Sequence, residues 1–231
     1  MNLSIYLAVT AAELNAAAKC GKPLAWMSCS FSPSGTGISG LPPSLPQNSM
    51  LMLTDEMPVQ GHDPERVAKE LAQAAQSLGC RRVLLDFQRA ECAESRHIVE
   101  AVREKAGVCV GVSEHYAAEL DCPVLVSPPP LWAPLEEHLA PWKGREVWLE
   151  AAWEEAVVTV TEAGSHYAVS KNGGPFPFRD ENLQTAYRIE TGPDAVRVFL
   201  HRGKAELDML LALASQLGVT AAVGLYQQLN E

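Results

Sequence analysis

The stretch Leu78-Gly79-Cys80-Arg81-Arg82-Val83-Leu84-Leu85-Asp86-Phe87-Gln88-Arg89 decides how the chain is read. A helical pattern ends on Gly79, two arginines follow, and a short apolar run leads into Asp86. Such a run after a helix reads as a buried parallel strand. Its first polar residues, Asp86, Gln88 and Arg89, are then delivered to its carboxyl end, where α/β sheets bind ligands.

The helix before this strand opens at Asp63-Pro64-Glu65, with an acid as N-cap, proline at the first position and an acid in the first turn. Val67, Leu71, Ala74, Ala75 and Leu78 share one face of it. Further back, Met50 to Thr54 is a strand ending on Asp55 and Glu56. Phe31 to Ser49 is crowded with Ser, Gly and Pro and reads as a long loop of the kind that is often functional. Leu24 to Ser30 and Leu3 to Val9 read as strands, with an alanine-rich helix from Ala11 to Lys19 between them.

Downstream, a helix from about Glu91 to Lys105 leads to a strand at Val108 to Val112. That strand ends in Ser113-Glu114-His115-Tyr116. Pro123 to Val126 and Val147 to Ala151 are further strands, separated by a Pro-Pro-Pro-Leu-Trp loop and a brief helix from about Pro134. The alternation then breaks. Ala156 to Thr161 and His166 to Ser170 alternate with period two around a turn, Lys171 to Gly174 reads as another turn, and Ala186 to Ile189 and Val196 to Leu200 read as a second hairpin. An amphipathic helix from about Lys204 to Leu217 and a strand from Thr220 to Tyr226 close the chain.

Eight short strands separated mainly by helices predict an α/β fold. The expectation is a small (β/α)8 TIM-like barrel, one domain over residues 1–231. It carries an antiparallel, hairpin-rich β insertion at about 155–200, with little room for a final helix. An open doubly wound sheet is the alternative. At 231 residues the chain is long enough to bury a full core.

Net charge of −10, with no stripe of Lys and Arg, argues against nucleic acid or an anionic membrane as partner. Six cysteines without a CxxC pair read as reduced core thiols. The first residues lack a basic n-region and no run is long enough to span a bilayer, so the expectation is a cytoplasmic protein. No GxGxxG, P-loop or GxSxG is present, no histidine spacing suits a metal, and no cofactor is expected. Oligomeric state is left open by the sequence.

On the barrel reading, one mouth gathers Asp55, Glu56, Asp86, Gln88, Glu114, His115, Glu150 and Tyr226, with Trp26, Tyr116, Trp132 and Trp148 near the same strand ends. Acids among aromatics suit sugars, because rings stack on their apolar faces while carboxylates take their hydroxyls. Paired carboxylates can also act as acid and base in glycoside cleavage.

A helix, then Leu-Gly, then a strand ending in Asp, an aromatic, and an acid or amide resembles the fourth strand of the family 18 glycoside hydrolases. The family's signature there is D-x-x-D-x-D-x-E. The carboxyl-terminal part, from Tyr187-Arg188-Ile189-Glu190 through Gly192-Pro193-Asp194 to Gly224-Leu225-Tyr226, resembles the bacterial spore-type branch. Tyr226 stands where the family's last strand ends in Trp. The resemblance implies a barrel acting on N-acetylated glycan, with the final Glu as general acid and the preceding Asp orienting the substrate's acetamido group. Here Arg81, Leu84, Asp86 and Gln88 fill the four signature positions, so only Asp86 matches and an amide replaces the acid. The first reading is therefore a catalytically impaired glycan-binding barrel, with Asp86, Gln88 and Glu114 at its centre and Asp55, Glu56, His115, Tyr116, Glu150 and Tyr226 around it. The alternatives are an active glycosidase using a relocated acid (Glu56, Glu114 or Glu150), and a non-enzymatic interaction protein that makes its contacts through the insertion.

Overall fold

The computed structural model describes residues 3–170 and 174–230. Eight strands run parallel: β1 (Ser4–Val9), β2 (Leu24–Phe31), β4 (Met50–Thr54), β5 (Arg82–Asp86), β6 (Cys109–Ser113), β7 (Val124–Val126), β8 (Val147–Glu150) and β14 (Ala221–Leu225). Each pairs with the next in this order, and β14 pairs back onto β1, so the sheet closes into a barrel. The open-sheet alternative is thereby excluded. A short strand, β3 (Ile38–Ser39), folds back antiparallel on β2. The 31–49 stretch is thus not wholly without structure.

The barrel's helical coat is uneven. Helix α2 (Pro64–Ser77) starts as its sequence dictates, with the Asp63 side chain accepting from the Glu65 amide, and α3 (Ala93–Lys105) is also full length. Three others are short: α1 (Leu14–Ala17), α4 (Leu135–Leu139) and α6 (Tyr226–Leu229). The alanine-rich helix expected over 11–19 shrinks to α1 plus one 3-10 turn that ends on Gly21 in the left-handed region. Helix α5 (Lys204–Gln216) packs before the closing strand. Among the described residues no helix is long and apolar enough to cross a membrane.

The hydrophobic core has two layers. The larger lies between barrel and helices, where Leu71, Leu85, Phe87, Val99 and Leu207 meet. The smaller fills the barrel interior with Tyr6, Met50, Met52, Leu84, Leu125, Trp148 and Val223. Trp148 fits because β6 offers a glycine opposite it: a Cβ on Gly111 would lie 2.4 Å from the indole ring. Beneath this layer Arg82 donates to the Tyr6 hydroxyl at 2.5 Å and lies over the Tyr6 and Trp148 rings, sealing the floor. All six cysteines are unpaired, and burial pushes the Cys29 and Cys80 thiols up to about 12 and about 11.

Between β8 and α5 the chain builds a separate antiparallel sheet of β9 (Glu154–Thr161), β10 (Gly164–Val169), β11 (Phe178–Asp180), β12 (Thr185–Thr191) and β13 (Val196–Arg202), ordered β10-β9-β13-β12-β11. This is the expected insertion. The turn read at Lys171 to Gly174 falls largely outside the described residues. Arg202, with no solvent exposure, ties the sheet to the barrel. It donates to Glu154 at 2.6 Å and to the Pro129 carbonyl at 2.8 Å, and its other nitrogens face the carbonyls of Leu183 and Gln184. Thr185 adds a bond to the Leu131 carbonyl at 2.9 Å.

Candidate functional site at the barrel mouth

Side chains alternate along each barrel strand, so parity decides what reaches the mouth. On β5, Leu84 lies in the barrel interior and Phe87 in the outer layer, which turns Asp86 and Gln88 toward the mouth. On β8, Trp148 is interior and Leu149 outer, which turns Glu150 to the same side.

The centre is the Asp86–Gln88 pair. The Gln88 amide donates to Asp86 Oδ1 at 2.6 Å. Burial holds the Asp86 carboxyl above its ordinary pKa, the Gln88 bond works against this, and the Asp55 charge adds to it. No arginine pairs with Asp86, because Arg89 is turned away to donate to the Glu56 carbonyl at 2.7 Å. Glu150 is also raised, first by burial and then by the charges of Asp86, Glu154 and Glu114. Glu150 itself is open to solvent. These four acids therefore share one electrostatic neighbourhood. Glu154 is raised by burial, while Arg202 and His138 pull it down.

The other expected residues divide by place. Asp55 is 4% exposed and spends both oxygens on backbone, accepting from the amides of Gln88 and Arg89 at 2.9 Å each. It shapes the loop that carries Gln88. Glu56 and His115 are exposed at strand ends, and Glu114 is half-buried at the start of the 3-10 turn after β6. Tyr116 is 4% exposed, edge-on to Phe87 in the outer layer, and donates to the Arg89 carbonyl and Ser95. It offers no face to a ligand in the mouth.

Tyr226 likewise packs on the outer layer, beside Cys20. Alternation from Ala221 and Val223 in the barrel interior instead turns Leu225 to the mouth. Of the four aromatic rings expected there, Trp26 is buried outside the barrel, donating to the Gly40 carbonyl at 2.7 Å, and Trp148 is buried within it. Trp132 alone of these is well exposed, and its ring meets Tyr167 of the insertion edge-on at 4.6 Å. Sequence reading missed Glu154 and Tyr167 as neighbours of the mouth. Their position in the insertion gave no sign of which face they occupy. Among the described residues no group of three or more His, Cys, Asp or Glu is placed to hold a metal ion.

No protein-family model matches the sequence, and no curated protein matches it significantly. Solved structures do match. The spore cortex-lytic enzyme SleL of Bacillus megaterium aligns over 96% of this chain and 70% of its own at 10% identity, with a TM-score of 0.54. A family GH18 chitinase from Cycas revoluta in complex with allosamidin aligns over 97% and 95% at 12% identity, TM-score 0.56. A Glu-to-Gln variant of class V chitinase from Nicotiana tobaccum in complex with NAG4 aligns over 97% and 93% at 10% identity, TM-score 0.59. The fold is that of the family 18 glycoside hydrolases. In this family 18-like barrel, Leu84, Asp86 and Gln88 lie along the fourth parallel strand and its extension.

Proposed function

We propose that this family 18-like barrel binds an N-acetylated glycan at its mouth and does not cleave it efficiently. The observation that carries the reading is the Gln88–Asp86 hydrogen bond at the end of the fourth strand. An amide at Gln88 holds Asp86 in place and can still donate to and accept from a sugar, but it has no proton to give a leaving oxygen. Loss of a general acid forfeits about 10²–10⁴-fold in rate. A similar fold carrying a Glu-to-Gln change holds NAG4 in its solved structure, which fits binding without turnover. Trp132 supplies an exposed ring at the rim.

Titration calorimetry with N-acetylglucosamine tetramer tests this reading. The expected result is binding by the native chain, loss on Asp86→Ala, and no release of shorter oligomers over hours. Absence of binding to any N-acetylated glycan refutes it.

A second reading, an active glycosidase with Glu150 as acid, is favoured by one observation. Burial and the neighbouring acids raise Glu150 toward the protonated form. Hydrolysis that disappears on Glu150→Gln and survives Gln88→Ala would establish that reading over the first.

A further inference from the structure

Register places Val160, Tyr167, Val169, Phe178, Ile189 and Val196 of the insertion on a single face of its sheet. All six are large hydrophobic side chains open to solvent, from 38% for Val196 to 79% for Val169. Where this face nears the barrel it is covered: Ala156 and Leu200 pack under Leu131, and Trp132 leans on Tyr167. Beyond that point nothing among the described residues covers it. Charged side chains on this face are Glu154, Arg202 and Asp180, all at the barrel end. The opposite face carries Thr159, Arg188, Glu190 and Arg197 beside Val157 and Phe199, and the Arg188 guanidinium lies over the Phe199 ring. A sheet normally buries its apolar face, and the outer part of this sheet leaves that face open to solvent.

With roughly 150–250 Å² per large side chain, the exposed fractions of these six and of Trp132 amount to on the order of 700 Å² of apolar surface. That exceeds the largest patch of an ordinary monomer and approaches the roughly 800 Å² each partner gives to a standard interface. The whole chain carries a net charge of −10, so two copies meeting elsewhere oppose like charges. The outer part of this face, away from Glu154, Arg202 and Asp180, has no such cost and offers no charge by which to select a foreign partner. Two such faces can stack about 10 Å apart around a two-fold axis, each supplying the same residues. We infer that the uncovered outer face of the insertion sheet is the interface between two copies of this chain.

Light scattering of the full chain at micromolar concentration tests the inference, independently of any glycan. The expected mass is twice the 25.0 kDa of one chain. Val169→Lys and Ile189→Lys, each at a site already half exposed or more, are expected to weaken association more than about tenfold while keeping the circular dichroism and thermal midpoint of the native chain. Arg197→Glu, on the opposite face, is expected to leave the mass unchanged. A native chain that stays at single-chain mass overturns the proposal. So does association that survives both lysine variants, or yields equally to Arg197→Glu. Protection of Val169 and Ile189 by another polypeptide in a chain that stays monomeric also overturns it.

Discussion

Gln88 and Asp86 are joined by a 2.6 Å hydrogen bond at the carboxyl end of the fourth barrel strand. An amide at Gln88 has no proton to transfer, and Gln88→Glu supplies one. Hydrolysis of N-acetylglucosamine oligomers is expected to rise by about 10²–10⁴-fold over the native chain, measured as reducing ends released. An unchanged rate with intact binding would show that more than the acid is missing.

The raised carboxyls of Asp86 and Glu150 fix the sign of a pH effect. A carboxyl whose folded pKa exceeds its unfolded value contributes stability that is fully present below the unfolded value and is lost as pH rises through the folded one. The thermal midpoint is therefore expected to gain from these groups as pH falls from neutral into the carboxylate range. Glu150→Gln is expected to stabilise the protein at neutral pH and flatten this dependence. Midpoints measured across pH for both chains decide the matter, and a Glu150→Gln chain less stable than native at pH 7 would reverse the sign.

Arg202 answers Glu154 and three backbone carbonyls from a fully buried position. Arg202→Met takes a donor from each of the four, of which the Leu183 carbonyl keeps another, from Thr185, and removing one partner of a buried pair costs about 3–5 kcal/mol. Chemical denaturation of the variant is expected to show a loss of this size. The double variant Arg202→Met, Glu154→Leu is expected to recover part of it.

Gly111 makes room for Trp148, and its φ is not in the left-handed region, so space alone limits what fits there. Gly111→Ala is expected to cost about 1–3 kcal/mol through overpacking. Adding Trp148→Leu to that variant is expected to make the alanine less costly than it is beside the native indole, as a double-mutant cycle would show.

Much of the fold was legible because parallel strands announce themselves as short apolar runs between helices. Val83 to Leu85 after the Gly79 stop, and Asp63-Pro64 at the start of α2, needed no tertiary knowledge. The insertion was legible from its change to period two. The direction of side chains was not. In a barrel strand both faces are apolar, so composition does not say whether Trp26, Trp148 or Tyr226 points inward, outward or to the mouth. Parity settles this only once a neighbour is fixed, as Val223 fixes Leu225 and Leu84 fixes Asp86. Asp86 was visible as the residue where an apolar run meets water. Asp55 was visible as an acid, but its two bonds to the Gln88 and Arg89 amides depend on loops that meet only in three dimensions.

Glu154 and Arg202, the first and last residues of the insertion sheet, are direct register partners. The two feet of the excursion therefore stand one strand spacing apart, about 4.8 Å. To the barrel, everything between them behaves as a tight connection from β8 toward α5 and β14. The cost of closing a long loop falls on the folding of the insertion itself and not on the joining of the last barrel strand to the first. The outer strands can lengthen, shorten or change their surface without altering how the barrel shuts.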